Sequence, residues 1–395
     1  MATESGPLSI GFVAGESSGD QLGAALITAL RARVPALKCF GVAGPKMAAA
    51  GCEAWAGSDE LAVMGLTEVV RHLPRILRLR GELHRRFLAA RPDVFIGIDS
   101  PEFNLGLAAK LHRAGITTVQ YVSPQVWAWR QGRVAGIARA CDLVLCLLPF
   151  ETPFYSKHGV AAQFVGHPLA DLIPLEPDRA AARRELGVPQ EGLQIALLPG
   201  SRLGEVERLG ADFLAAARYI RERRPGVGFL APMASPAVRA VFERQLAATP
   251  VDAVLVLEGG SHRALAAADG VIVASGTATL EALLFGRPMV AAYRFAAFTA
   301  FLIKHLRLVK VPYFSQPNLL LGRARVPEFF QDAVAGPALG EALLRELEPG
   351  EHRAELALEF RRVHEELRQG GAERAASAIL ELLAARTDTA IRGRV

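Results

Sequence analysis

The stretch that most constrains this chain is residues 270–290, GVIVASGTATLEALLFGRPMV. Its first five residues are apolar without interruption, the pattern of a parallel strand buried on both faces. Ser275-Gly276-Thr277 stops that strand. Leu280, Leu283 and Leu284 then fall on one helical face, and Gly286-Arg287-Pro288 ends the helix. Strand, small-residue turn and helix outline a site for anions. The first N–H groups of a helix lack internal partners, and the helix dipole is positive there. Ser275, Gly276, Thr277 and Thr279 are the residues expected against a phosphate. Glu281 is expected in the first turn. There it either complements the dipole or accepts hydrogen bonds from a sugar or ribose hydroxyl.

The same cassette recurs along the chain. The run 8–14 leads into a Gly-rich turn, Gly15-Glu16-Ser17-Ser18-Gly19-Asp20, and a helix. That turn has neither the Walker nor the GxGxxG spacing, so it reads as structural or as ligand-lining. The run 93–98 delivers Asp99 to the carboxyl end of its strand, where open parallel sheets bind ligands. Asp99 is either a general base for a substrate hydroxyl or, with Ser100 and Pro101, a helix cap. Two of the three tryptophans, Trp127 and Trp129, follow the run 117–122, with core packing as their default reading. His167 beside Pro168 reads as a structural hydrogen-bond partner.

Strand and helix signals alternate throughout, which is a doubly wound pattern. The polar segment 175–192 is the expected boundary, giving domains 1–175 and 176–350, with helices 351–395 closing the chain. In the second half the run 194–198 ends in Pro199-Gly200-Ser201-Arg202. An arginine opposite a helix N-terminus suits a diphosphate; the alternative is a surface pair with Glu205. Asn318, beside Pro317, is a further candidate for lining the ligand site.

Length and charge narrow the function. At 395 residues the chain exceeds one ordinary core. A net charge of +5 and a pI near 9.2 favour an anionic partner. The four cysteines are scattered, so they read as reduced core residues and not as a metal site or disulfide frame. No signal peptide or spanning helix is evident. Residues 61–86 are unusual. Leu66, Val69, Val70, Leu73, Ile76 and Leu77 recur at helical spacing, preceded by Met64 and interleaved with Arg71, Arg75 and Arg78. Pro74 is expected to break this helix in two. The segment is either an ordinary helix with a solvated basic face or an interfacial one for an anionic membrane. Nucleic acid fits poorly, since no motif is present and no aromatics interleave with the arginines.

Nine segments in order resemble one family of glycosyltransferases. They are AGESSGD at 14–20, GVAGPKM at 41–47, ELAVMGLTEVVRHLPRI at 60–76, GIDSPEFN at 97–104, VSPQVWAWR at 122–130, FVGHPLAD at 164–171, LLPGSRLGEV at 197–206, ASGTATLEALL at 274–284 and PNLLLGR at 317–323. The set resembles the lipid-A-disaccharide synthase family. Small departures stand at Ser17, Glu102, Gln120 and Ala324, where Ala, Asp, His and Glu are usual in that family.

The resemblance implies a GT-B-like α/β fold. Two Rossmann-like domains would face a central cleft, and the C-terminal helices would cross back to the first. It implies an inverting, metal-independent transferase with no cofactor. The donor would be UDP-2,3-diacylglucosamine and the acceptor 2,3-diacylglucosamine 1-phosphate. The products would be the β-1,6 tetraacyl disaccharide 1-phosphate, a lipid A and lipopolysaccharide precursor, and UDP. The site would be the cytoplasmic face of a Gram-negative inner membrane, with the protein peripheral on it. Asp99 would act as base, with Glu16, Ser17, Ser18, Gly19 and Asp20 on the acceptor side. Gly200, Ser201, Arg202, the 275–279 turn, Glu281 and Asn318 would hold the donor. Two rivals have other chemistry: a UDP-N-acetylglucosamine 2-epimerase of the same fold, and a non-catalytic nucleotide-sugar-binding protein at the membrane surface.

Overall fold

The computed structural model describes residues 7–61, 66–127, 131–295 and 312–392. The chain forms two compact units. The first is Met1–Asp171 with Leu367–Val395, and the second is Leu172–Glu366.

The apolar runs become strands because a parallel strand is covered on both faces and needs no polar side. In the first unit these are β1 Ser9–Ala14, β2 Lys38–Ala43, β3 Cys52–Gly57, β4 Val94–Ile98, β5 Thr117–Tyr121, β6 Leu143–Cys146 and β7 Ala162–Phe164. They pair in parallel in the order β3-β2-β1-β4-β5-β6-β7. The second unit holds β8 Gln194–Leu198, β9 Gly228–Met233, β10 Val254–Glu258, β11 Gly270–Ala274, β12 Met289–Tyr293 and β13 Glu328–Phe330. Their order is β10-β9-β8-β11-β12-β13, again parallel. In each sheet the winding reverses once, between β1 and β4 and between β8 and β11. A crevice opens at the carboxyl edge of such a switch point because the flanking helices depart to opposite faces.

The four cysteines are free and buried in these layers. Burial pushes the thiols of Cys39 and Cys52 up to about 11 and about 12, so they stay protonated packing groups.

The chain's end returns to the first unit. Ala375, Ala376 and Ile379, from helix Gly371–Arg392, share a core with Leu22, Leu26 and Leu30 of helix Ser17–Arg33. The Asp171 carboxylate accepts from Gly370 N (2.9 Å) and Gly371 N (2.7 Å) at the start of that last helix. His167 N donates to Leu367 O (2.9 Å). The His167 ring is held neutral, lowered to about 4 chiefly by burial, and its Nδ1 accepts from Leu169 N (3.2 Å). It is a structural partner. The closing helices do not move together, as the 351–395 grouping expected. Helix Glu351–Leu367 lies almost wholly in the second unit, tied there by Glu359 to Arg325 (2.8 Å) and by Arg361 to Glu176 (3.3 Å). Only the final helix crosses back. A second correction concerns Pro74: helix Leu66–Ala90 runs through it. Among the described residues no helix is long and apolar enough to cross a membrane.

The second unit has one ionic keystone at the amino end of β11. Asp269 accepts from Arg179 (2.5 Å), Arg183 (2.7 Å) and Gln194 N (2.8 Å). Arg183 is fully buried and also donates to the carbonyls of Ala267, Gln190 and Gly192. Asp269→Ala strands that buried guanidinium without its counter-charge. It is expected to lower the unfolding free energy of the second unit by about 3–5 kcal/mol. Urea denaturation followed by circular dichroism checks this; an unchanged midpoint would remove Asp269 from that role.

Candidate functional site

In the first unit, β4 ends at the switch point and the chain turns sharply. Asp99 and Ser100 both have left-handed backbones, with φ of 51° and 40°. Such conformations cost non-glycine residues about 1–3 kcal/mol each and persist only where the surroundings fix them. Here they are fixed. Asp99 N donates to Tyr121 O (2.9 Å). Its carbonyl accepts from Asn104 Nδ2 (2.8 Å) and Gln120 Nε2 (3.0 Å). A Cβ on Gly15 would meet Ser100 Oγ at 2.1 Å, so only glycine lets the first turn approach this elbow. Ser100 occupies the N-cap of helix Pro101–Arg113 without a side-chain cap bond. Among the described residues no hydrogen bond holds the Asp99 carboxylate.

That elbow borders a cavity of about 260 Å³, lined also by Glu102, Ser123, Gln125 and Arg133. Arg133 and Glu102 pair through two bonds of 2.6 and 2.7 Å. The Glu102 hydrogen bond raises Arg133 above its already high ordinary value. Glu16, Ser17 and Ser18 are exposed at the first turn, and Gly19 is buried against Ala14. Asp20 departs from expectation. It is buried, and its two oxygens accept from Gly44 N, Lys46 N and Met47 N at 2.9 Å each. It joins two turns, its buried carboxylate engaged by these three amides.

In the second unit, two turns meet the carboxyl edge on either side of the other switch point. After β8, Glu205 Oε2 accepts from Ser201 N (3.0 Å) and Arg202 N (3.3 Å). Gly200 carries φ +132°, and a Cβ there would meet the Glu205 Cβ at 2.4 Å. Arg202 stands at the N-cap of helix Leu203–Arg223 with its side chain 82% exposed. Its guanidinium approaches the Glu205 carboxylate only to 3.9 Å, and such solvent-facing pairs are worth about 0–1 kcal/mol. The guanidinium is therefore available to an anion.

After β11, Gly276 carries φ +147° at the N-cap of helix Thr277–Leu284. Gly276 and Thr277 are exposed, and Ser275 Oγ donates to Phe314 O (2.7 Å). Three expectations change here. Thr279 is fully buried: its hydroxyl donates to Gly276 O (2.8 Å) and accepts from Gln316 N (3.2 Å), so it shapes the turn. Glu281 lies beyond the first helical turn, which removes the dipole reading. It faces His262 Nε2 at 3.2 Å instead. Asn318 is buried with its amide wholly used: Nδ2 donates to Val326 O and Glu328 Oε1 (2.8 and 2.9 Å), and Oδ1 accepts from Arg325 N and Val326 N (2.7 and 2.8 Å). It folds the 318–328 loop and cannot contact a donor. The nearby Gln316 Oε1 is buried with no partner among the described residues.

Sequence reasoning did not anticipate Arg133, His262, Asn104 or the support Gln120 gives Asp99. Arg133 and His262 carried a weak signal, each being a basic residue beside a Gly-containing turn. On helix Leu66–Ala90, Arg75 and Arg78 are exposed, Leu77 is 47% exposed, and Ile76 packs partly on the first core. Arg75 approaches Glu60 at 3.2 Å. Met64, and the side chains of Leu66, Val69, Val70, Arg71 and Leu73, lie outside the described residues.

Comparison with known proteins agrees with this geometry. Among solved structures, a kitacinnamycin glycotransferase matches with TM-score 0.64 at 18% identity, covering 95% of this chain and 99% of that one. A Neisseria meningitidis UDP-GlcNAc 2-epimerase bound to UDP-GlcNAc matches with TM-score 0.59 at 11% identity, covering 96% and 99%. These likenesses are of fold: two parallel-sheet α/β domains of GT-B type. The sequence comparisons separate them. The lipid-A-disaccharide synthase of Pseudomonas aeruginosa (strain UCBPP-PA14) is 52% identical over 376 residues, 95% of this chain and 98% of that protein. That of Sodalis glossinidius (strain morsitans) is 51% identical over 378 residues, with the same coverage. The family model described as lipid-A-disaccharide synthetase matches residues 10–382. With so much of its length matched at this identity, the chain belongs to the lipid-A-disaccharide synthetase family.

Proposed function

We propose that this chain transfers the diacylglucosamine of UDP-2,3-diacylglucosamine to the 6-hydroxyl of 2,3-diacylglucosamine 1-phosphate, with Asp99 as base and the Arg202 and 275–277 turns holding the departing diphosphate. The observation that carries the assignment is the Asp99 elbow. A strained backbone is locked at the switch point, and its carboxylate borders a cavity with no competing bond among the described residues.

Inversion at the anomeric carbon is a single displacement. The acceptor hydroxyl gives its proton to Asp99 as its oxygen bonds to the donor C1. The bond from C1 to the diphosphate oxygen breaks on the opposite face. Charge then gathers on UDP, where the Arg202 guanidinium and the free N–H groups at the start of helix Thr277–Leu284 stabilise it. Glu281, oriented by His262, accepts from the ribose hydroxyls. Glu16, Ser17 and Ser18 complete the acceptor side, and Arg133 offers the acceptor phosphate a cation when it exchanges Glu102 for that ligand. Both substrates carry acyl chains, so the enzyme works at a lipid surface. The exposed Leu77 between Arg75 and Arg78 suits docking on anionic headgroups. The cytoplasmic face of the inner membrane is the location this reading carries.

In a detergent-micelle assay that follows UDP release and disaccharide together, Asp99→Asn is expected to lower kcat about 10²–10⁴-fold. UDP binding is expected to stay near wild type. A near-normal kcat would remove Asp99 as the base.

Arg202→Ala is expected to lower kcat about 10²–10³-fold by removing charge stabilisation of the leaving group. An effect on donor KM alone would restrict Arg202 to ground-state binding.

The double variant Arg75→Glu, Arg78→Glu is expected to weaken sedimentation with vesicles containing phosphatidylglycerol by about thirtyfold or more, at roughly 1 kcal/mol per basic residue lost. Unchanged sedimentation would place the membrane contact elsewhere.

A further inference from the structure

One wall of the Asp99 cavity is the segment 122–126, which leaves the end of β5. It begins with Val122 at φ +74°. A β-branched residue in that region is a conformational outlier, so the segment needs an external hold. Val122 itself donates to Leu145 O (3.2 Å) and accepts from Gln120 Nε2 (3.3 Å), and the residues after it are held from the helix that follows β6. Glu151 opens the short helix Glu151–Ser156 and is only 3% exposed. Its Oε1 accepts from Trp127 Nε1 (3.1 Å), and its Oε2 accepts from Leu148 N (3.0 Å). From the same short helix, the Tyr155 hydroxyl accepts from Ser123 Oγ (3.2 Å) and donates to Pro124 O (3.1 Å). Trp127 packs edge-on against Phe150, with ring centroids 4.8 Å apart.

We infer that Glu151 is a positioning residue for the acceptor side, fixing the 122–127 segment against the Asp99 cavity through the Trp127 indole. The inference rests on the reading of that cavity as the acceptor site.

The hold is sensitive to pH. The groups facing Glu151 are the Cys146 thiol at the end of β6, the Tyr155 phenol on its own helix, and Ser123 and Trp127 from the cavity wall. None is a cation, and no ion pair reaches Glu151 among the described residues. Burial without a counter-charge lifts its carboxyl to about 7, while the bonds from Leu148 and Trp127 oppose the rise. The sign follows. The folded protein holds the Glu151 proton at pH values where the unfolded chain has lost it, so stability from this group is full in acid and falls as pH rises through about 7. The hold on the loop moves the other way. The bonds that oppose the rise favour the ionised form, so deprotonation tightens the segment.

The experiment pairs activity with tryptophan emission. In the wild type, kcat/KM for the acceptor is expected to rise with pH through about 7, and emission from Trp127 to change over the same interval. Glu151→Gln is expected to abolish both transitions and to lower acceptor kcat/KM about tenfold, with donor KM unchanged. Trp127→Phe removes the same hydrogen bond from a less buried position and keeps the test open if the Gln variant folds poorly. It is expected to cost a similar factor, and the double variant to cost no more than the worse single one. The inference is overturned if either single variant keeps acceptor kcat/KM within about twofold, if the two losses multiply, or if the emission change survives in Glu151→Gln. Near-normal turnover in Asp99→Asn is a separate failure, that of the cavity reading itself.

Discussion

A parallel sheet sends every strand's last residue to the same edge, and the protein depends on that geometric constraint. At the one place in each sheet where the winding reverses, the flanking helices depart to opposite faces and a crevice opens at that edge. The first sheet puts Asp99 there, and the second puts the Arg202 and Ser275 turns on the two strands that flank its reversal. The Asp99 carboxylate belongs to one sheet, and the exposed Arg202 guanidinium and the turn before helix Thr277–Leu284 belong to the other. Each of these turns is thus positioned by secondary structure that the buried apolar runs dictate. The chemistry is added in one to three residues per turn.

Rigidity around Asp99 is concentrated in backbone strain. Asp99, Ser100 and Val122 all hold left-handed conformations at the rim of one cavity. Side chains hold this rim: Asn104 and Gln120 on the Asp99 carbonyl, Gln120 also on the Val122 carbonyl, and Glu151 on Trp127 at the opposite wall. The supporting polar groups are buried, so losing one leaves an unsatisfied partner in addition to a missing bond. That arrangement keeps a carboxylate in place without a direct bond to it. A base must stay unengaged until substrate arrives.

Much of this was legible in the sequence, for a physical reason. Runs such as GVIVA and DVFIGI are apolar on both faces, which only a covered strand tolerates, and the strand ends then locate Asp99, Arg202 and Ser275. What failed to read was the use of each polar group near a turn. Asp20, Thr279 and Asn318 have the same composition and spacing as ligand-binding residues, yet each satisfies backbone groups far along the chain or across a turn. A sequence shows that a carboxylate or amide is present, but not which N–H groups fold back to it. Glu281 misled through register, because the helix begins at Thr277 and places it a turn further in than expected. His262, Arg133 and Gln120 were missed because their partners are 19 to 31 positions away.

The last helix has a consequence for how the protein is made. Ala375, Ala376 and Ile379 cover Leu22, Leu26 and Leu30, and Asp171 waits for the amides of Gly370 and Gly371. On the ribosome the first sheet emerges first but cannot seal that core until all of Leu172–Glu366 has been synthesised. Through most of translation a leucine-lined helix face stands uncovered, and the domain begun first is the one finished last. A nascent chain with such an open face depends on its second domain folding promptly, and a truncation before residue 371 leaves the first domain permanently without its lid.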